Sequence, residues 1–512
     1  MFRDGLLKSI WQSEIVTHNS NLPLDDHYDV IIAGAGITGF SCAVELQSRG
    51  VKCLLLEAEN AGFGTTGGTT AHLNTFFDAT YDQVIKDFGL DEAKLLAKSG
   101  KEAISFIRSN ISKYTIDCSF EERTAYLFAT DNNQEKELDD IVEASNQAGV
   151  EMVYTDTIPF PVPFTKAVEI KGQAQFHPIH YINGLKKAFL ELGGTYIEKC
   201  RVEDHTSEND EIVVTTSRGK IKSKYLIYAT HTPPGVNLLH FRNLPWRSYV
   251  LGVELDDFSY FPFLGYDLQD PYHYYRSQEI DGKRYLIVGG KDHKTGTKID
   301  TRESLRELEA HVRNYFNVKN IAFSWSSQFY ESADGLPYIG KIPGGPDQVL
   351  VATGFTGNGM TFGSLSGKLL SDLIIEGTSL YESLFNPRRV KPIAGFSKFT
   401  SHNLNVAAKW ISDKISKEHL SNLAALDYDE GKVVNYEGHS YAIYKDSGGS
   451  IHALKNLCPH VQCSVEWNNA ELTWDCPCHG SRFGVHGNVL NAPAVTSLEP
   501  IDLTDENDEI SK

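Results

Sequence analysis

A strand–glycine loop–helix–strand unit near the N-terminus, alternating apolar runs through the middle, and short strands around a Cys/His-rich C-terminal stretch predict a three-part chain. The parts are an α/β dinucleotide-binding domain of Rossmann-like build, an antiparallel-sheet (α+β) substrate domain, and a small all-β domain with a metal centre. At 512 residues the chain is too long for one hydrophobic core. Its net charge of -19, with no basic stripe, argues against nucleic acid or an anionic membrane surface as partner. Four of the eight cysteines lie in the C-terminal stretch, while Cys42, Cys53, Cys118 and Cys200 are scattered. That is the distribution of a metal site plus core thiols, not of a secreted disulfide framework. The first residues, MFRDGLLKSIWQSEIV, hold no apolar export core, and the longest uncharged run, Gln348 to Gly367, is broken by glycines and hydroxyls. The expectation is a soluble, cytoplasmic protein with no membrane span.

Residues 1–27 are mixed and polar and are expected to form an arm on the main body. Val30 to Ala33 is then a continuous apolar run, as a buried parallel strand requires. Gly34-Ala35-Gly36-Ile37-Thr38-Gly39 follows, with an amphipathic helix to about Arg49, Gly50 as its stop, a second run from Val51 to Leu56, and Glu57-Ala58. Glycines let the backbone approach a pyrophosphate, the helix N-terminus offers unpaired N–H groups, and the acid takes a ribose hydroxyl. The loop from Asn60 to His72 is dense in small residues and hydroxyls, including Thr65, Thr66, Thr69 and Thr70, and suits the edge of a flat ring. Arg201-Val202-Glu203 and Tyr225 to Thr230 read as strands returning to the first sheet. Val349 to Thr353 is another, followed by Gly354 to Thr361 and an apolar helix that brings a second helix N-terminus, at Gly359-Met360-Thr361, to the ligand.

Between these segments, runs at Thr124–Ala129, Tyr249–Leu255, Tyr272–Arg276 and Tyr285–Val288 suggest an antiparallel sheet, with helices near Glu135–Ala148, His180–Leu192 and Arg302–Phe316. Strand alternation places Tyr272, Tyr274 and Arg276 on one face, where a guanidinium fork beside phenols could pair a substrate carboxylate. Lys291, Asp292 and His293 form a second candidate group, from which His293 is taken with Arg276 and Tyr274 as candidate catalytic residues.

Taken together, residues 28 to about 380 resemble the D-amino-acid-oxidase-like (DAO) family of FAD oxidoreductases, with Asp334 to Gly340 and Gly354 to Thr361 its most recognisable later pieces. The resemblance implies FAD bound by Gly34, Gly36, Ile37, Thr38, Gly39, Glu57, Ala58, the Thr65–Thr70 loop, Val202 and the Gly359–Thr361 turn. It divides residues 28–385 into FAD-binding segments of about 28–80, 195–235 and 330–380 around a substrate domain. Some members tether the flavin through a His or Cys; the surroundings of His72 differ from theirs, so FAD is expected to be non-covalent. Residues 386–430, with a moderate helical pattern over Asn403–Glu418, read as a linker and docking arm.

Residues 431–505 return to short strands around CPHVQC and CPCHGSRF, giving Cys458 and His460, then Cys476 and His479. Two thiolates and two imidazoles suit either a [2Fe–2S] centre with sulfur on one iron and nitrogen on the other, or a Cys2His2 zinc site. Zinc knuckles usually keep the two Cys together and the two His together, whereas each knuckle here mixes them. The stretch resembles the Rieske family, which implies Cys458 and Cys476 on one iron and His460 and His479 on the other. It further implies a Cys463–Cys478 disulfide and a shielding loop at Asn491-Ala492-Pro493-Ala494. Where the high-potential branch has a Tyr donating to a ligand sulfur, this chain has Phe483, so an intermediate potential is expected. The end, Asp502 to Lys512, is acidic and expected to be disordered.

The reading that follows is a flavo-iron–sulfur oxidoreductase. FAD would oxidise a small amine or amino acid at a C–N bond, and the cluster would pass electrons singly to or from a carrier protein. An NAD(P)H-linked reductase would need a second glycine-rich dinucleotide loop, and Gly289-Gly290 is followed instead by Lys-Asp-His. A Rieske oxygenase would need a mononuclear iron site after the cluster, where His486 is the only histidine beyond His479. A redox carrier or sensor without turnover is the remaining alternative.

Overall fold

A computed structural model of the chain describes residues 3–12, 25, 27–256, 259–389, 426–436 and 438–501. The expected helical pattern at Asn403–Glu418 and the acidic end both lie outside the described residues.

The first sheet has the strand order Tyr338–Lys341, Val349–Thr353, Gly219–Tyr228, His27–Ala33, Cys53–Leu56, Thr195–Ile197. Four of the five pairings along this path are parallel, which requires crossover connections between the strands. Val30, Ile31 and Ile32 are wholly buried, which explains their unbroken apolar run. The helix Ile37–Ser48 leaves the glycine loop and packs closely on the strand behind it. A Cβ on Gly39 would stand 1.8 Å from the Gly34 carbonyl oxygen, so only glycine lets the helix begin there. Val202 enters this sheet indirectly, through the hairpin Val202–Glu208 and Glu211–Thr216.

A second, nine-stranded sheet carries the middle of the chain. Long strands Asn243–Leu255, Lys283–Lys294 and Val318–Ser332 pair antiparallel at one side. The expected all-antiparallel order holds except where Leu264–Asp267 runs parallel to Glu121–Ala129. The helices expected here form as Asn132–Ala148, Pro178–Glu191 and Thr301–Tyr315. The strand expected at Tyr272–Arg276 starts later and runs Tyr274–Ile280.

The C-terminal domain is two four-stranded antiparallel sheets. Its cluster loops follow Ile451–Lys455 and Thr473–Asp475. This domain is docked against the second sheet by a buried ionic knot. Arg482 donates to Asp475 Oδ1 (2.9 Å), Asp4 Oδ1 (3.1 Å), Asp4 O (2.8 Å), Arg3 O (3.3 Å) and Thr473 Oγ1 (2.8 Å). Arg247 of the second sheet, equally buried, faces Asp4 at 3.5 Å and Glu471 at 3.8 Å. Residues 3–12 are therefore not an arm on the surface: Ile10 and Trp11 are core residues, and Leu6 N donates to Glu471 O at 2.8 Å. Burial raises the Glu471 carboxyl to about 7 despite the two arginines. At Asp475 burial pushes the same way, but the two arginines together with hydrogen bonds from Asn468 and Thr473 hold the carboxyl low.

Removing one member of such a knot strands its partners without counter-charge, at a cost of about 3–5 kcal/mol. Arg482→Ala should lower stability by that order, read as a shift of the denaturant midpoint. An unchanged midpoint would mean that the knot does not hold the domains together.

Candidate functional site

One cavity of about 670 Å³ runs along the seam between the two sheets. From the first sheet it is lined by Gly34, Gly36, Ile37, Thr38, Glu57, Ala58 and Val202, and from the loop beyond by Thr65, Thr66, Thr69 and Thr70. Gly359 and Met360 close it at the start of the helix Gly359–Ile375. Of the expected FAD contacts, Gly39 and Thr361 stand behind this wall: Gly39 serves helix packing and Thr361 is buried beneath the turn. The Glu57 carboxylate accepts from Ala35 N (2.7 Å) and Glu59 N (2.8 Å), while burial pushes its pKa up. An acid turned back onto the glycine loop in this way, with a glycine-walled cradle above it, fits the adenosine end of a dinucleotide.

The hydroxyl-rich loop is held from outside. Trp325 Nε1 donates to Gly68 O (2.8 Å) and Trp11 Nε1 to Thr69 O (2.6 Å). Arg276 donates to Thr70 O (2.6 Å), Ala71 O (3.1 Å) and Phe176 O (3.3 Å) and also bonds Gln278. This corrects the expectation for Arg276. It shares a strand face with Tyr274, but two residues farther along carries it about 7 Å past the cavity, where it anchors the loop's carbonyls instead of a substrate. His293 is also misplaced by the sequence reading. It lies on Tyr249 (rings 5.6 Å apart, hydroxyl 3.0 Å from Nε2), with its Nδ1 on Lys294 O, away from the cavity.

Tyr274 does line the cavity, as do Tyr266, Tyr272, His72, Asn74, Asp78 and Asp292. A bulge brings the last of these there. Arg247 pairs with His293 and Tyr249 with Gly290, so Ser248 faces both Lys291 and Asp292. Lys291 takes a left-handed φ of 60°, and the extra residue aims Asp292 inward. The Tyr274 ring lies across Gly289, where a Cβ would come within 2.1 Å of it, and its hydroxyl is 2.8 Å from Ser248 Oγ. Asp292 is the residue the sequence reading passed over in favour of its neighbour; the Gly-Gly pair before it was the available signal.

In the C-terminal domain the four expected cluster residues converge. The Cys458 and Cys476 thiols are within hydrogen-bonding reach of each other, and Ser481 bonds Cys458. The His460 and His479 rings are 5.0 Å apart. His460 Nδ1 is buried without a hydrogen-bond partner, while its Nε2 donates to Gly235 O at 3.0 Å. One imidazole nitrogen satisfied by protein and the other turned inward is the donor arrangement a metal centre needs, and two sulfurs with two nitrogens fit a [2Fe–2S] cluster. Cys463 and Cys478 are disulfide-bonded and pin the two loops together. Phe483 is buried beside the cysteines and brings no hydroxyl.

The two sites share a wall. Asn491 and Ala492 of the C-terminal domain line the cavity. Asn491 donates to Gly480 O (3.0 Å) and accepts from Arg3 (2.8 Å), itself a cavity residue. Tyr330 donates to His479 O (3.1 Å) and packs against cavity-lining His231 with rings 4.6 Å apart. His240 and Phe241 cover the imidazole side, 4.7 Å from His460 and 5.2 Å from His479.

Comparison with known proteins gives the same two parts. The FAD dependent oxidoreductase (DAO) family model matches residues 29–373 and the Rieske [2Fe-2S] domain model residues 419–502. The chain is similar over 94% of its length, and 94% of the other, to the Rieske 2Fe-2S iron-sulfur protein YhfW of Bacillus subtilis (strain 168), at 35% identity. Gamma-glutamylputrescine oxidoreductase of Escherichia coli (strain K12) is 24% identical over 71% of this chain and 87% of its own. Glycine oxidase from Geobacillus kaustophilus has the same fold, with a TM-score of 0.58 at 18% identity over 72% of this chain and 100% of that one. No helix among the described residues is long and apolar enough to cross a membrane.

The disulfide closes a 15-residue separation between the cluster loops, for which loop-closure entropy predicts about 3 kcal/mol. Cys463→Ser should therefore lower the stability of this domain by about 2–4 kcal/mol, measured by denaturant titration of the cluster's visible absorption. No change would show that the ligand loops are held without it.

Proposed function

The chain belongs to the DAO family of FAD-dependent oxidoreductases and carries a Rieske [2Fe–2S] domain, and on that premise we propose that it oxidises a small amine or amino acid at a C–N bond and relays electrons singly through the cluster to or from a partner protein. The observation that carries this reading is the shared wall: Asn491 touches both the flavin cavity and the cluster loop, and Tyr330 spans from His479 to His231.

In this reading Gly34, Gly36, Ile37 and Thr38 hold the pyrophosphate, Glu57 the ribose, and the Thr65–Thr70 loop with Gly359 and Met360 the ring. When bound, FAD supplies the two-electron acceptor for the C–H bond next to nitrogen. His72 has Nδ1 2.9 Å from Thr70 Oγ1 and Nε2 3.4 Å from Tyr275 O, which supports non-covalent flavin. Tyr266, Tyr272 and Tyr274 form an aromatic wall that orients a small substrate and limits water. Cys458 and Cys476 hold one iron, and His460 and His479 the other. His240 and Phe241 pack on the imidazoles, so the cluster's histidine side is turned toward the flavoprotein, with His460 half-buried.

Cys476→Ser should abolish the cluster's electron paramagnetic resonance signal while flavin remains at full stoichiometry. Glu57→Ala should do the reverse, weakening FAD retention by about tenfold or more, since a hydrogen bond to a charged group contributes about 1.5–3 kcal/mol. Anaerobic mixing then tests the activity: amines or amino acids should bleach the flavin first and reduce the cluster second. Reduction by NADH or NADPH alone would replace this function with that of a reductase.

A further inference from the structure

The cavity end that faces the second sheet has a charge pattern unlike a site for an amino-acid carboxylate. Arg3 and Arg201 are the only Arg or Lys side chains on the cavity wall among the described residues, and both are already engaged by protein groups. Arg201 acts on Glu57 at the nucleotide end. Arg3 is engaged by Thr65 (2.7 Å), His231 (2.9 Å) and Asn491. Burial keeps His72 neutral, its pKa pushed down to about 3, and lowers His231 as well. The same wall carries Asp292, Asp78, Glu137 and Asp270.

Two of these acids differ in their partners. Asp78 is satisfied: it accepts from Tyr272 Oη (2.9 Å), Gly357 N (3.0 Å) and Asn358 Nδ2 (2.6 Å), and so fixes the turn before the helix Gly359–Ile375. Asp292 has only the Ser248 hydroxyl close enough to favour its charged form, and its Oδ1 is enclosed without a hydrogen-bond partner. Its neighbour Lys291 cannot neutralise it, because that ammonium turns toward Glu307 at 3.8 Å. A buried carboxylate oxygen without a donor costs free energy, and the bulge at Lys291 holds it there nonetheless.

Building on the function proposed above, we propose that Asp292 is the residue that recognises the substrate nitrogen, and that the substrate is a cationic alkylamine without a carboxylate on the carbon next to nitrogen. An ammonium N–H would donate to Asp292 Oδ1, with Tyr272 and Tyr274 flanking it. An α-amino acid would bring its carboxylate to a wall with Asp78 and Asp292 and no unengaged cation, where like charges repel. Glu137 and Asp270 extend the negative field along the wall and favour entry of cations.

The sign of the pH dependence follows from the groups facing Asp292, namely Ser248, Tyr272, Tyr274 and Asp78. Burial raises its pKa to about 7 against the Ser248 hydrogen bond, with Asp78 adding to the rise. Only the ionised form pairs with an ammonium. Affinity should thus climb up to tenfold per unit as pH rises toward 7, level off, and fall above about 10 as the amine itself loses its proton.

The test is binding without turnover. Oxidised FAD-loaded protein is titrated with n-butylamine and, separately, with butanoate and glycine, following the perturbation of the flavin spectrum. Butylamine should bind, and the two carboxylates should bind at least tenfold more weakly. Asp292→Asn should lose tenfold or more in butylamine affinity together with the rise toward pH 7. Ser248→Ala, which keeps the carboxyl but removes its donor, should move that rise to higher pH. Stronger binding of butanoate or glycine, or an Asp292→Asn protein with undiminished affinity and FAD content, would overturn the proposal. Because no electron transfer is measured, amine binding without amine-driven bleaching would count against the oxidation reading alone.

Discussion

The arrangement depends first on a set of charges with no access to water. Arg3, Arg247 and Arg482 meet Asp4, Asp475 and Glu471 where the N-terminal residues, the second sheet and the cluster domain come together. Hydrophobic contact alone would tolerate sliding between these surfaces. Buried ions do not, since each loses several kcal/mol if its partner moves away. The knot therefore fixes the orientation of the cluster domain against the cavity. Gly480 depends on it directly: a Cβ there would stand 2.6 Å from Gln328 Nε2 and 2.8 Å from Pro245 Cβ, so the second cluster loop meets the long strands at backbone distance.

From that joint the flavin cavity can be understood as a shared construction. The first sheet provides a nucleotide cradle, the second a wall of phenols and acids, and the cluster domain a patch at Asn491 and Ala492. The hydroxyl loop between them keeps its shape through three anchors buried outside the cavity, Trp11, Trp325 and Arg276. Arg276 is the most telling. The guanidinium is completely enclosed in protein, where its two terminal nitrogens meet backbone carbonyls and Gln278, and its contact with Trp11 (5.6 Å) ties the N-terminal residues to the same loop.

Much of this was legible in the residues. The strand, glycine loop, helix and Glu57 lie within one contiguous stretch, and their chemistry needs no distant partner to be recognised. The same holds for Cys458, His460, Cys476 and His479. The substrate wall was less legible. Alternation correctly grouped Tyr274 with Arg276 but could not tell which point of the strand faces the cavity. At Lys291 the period itself fails: the bulge turns Asp292 inward and leaves His293 against Tyr249. The burial of most of residues 3–12 was invisible because their composition is that of a surface arm, and two of the three arginines facing Asp4 come from positions more than two hundred residues away.

The sequence by itself determined that the chain has a dinucleotide fold and a Cys/His cluster site, because each is encoded by short-range spacing and by residue types with few other uses. Only the tertiary structure decided that the two sites share a wall, that Arg276 supports a loop while Asp292 enters the cavity, and that an N-terminal segment completes the joint. Those features rest on one bulge, on depth along a strand, and on charges brought together by folding; none has a periodicity or motif of its own.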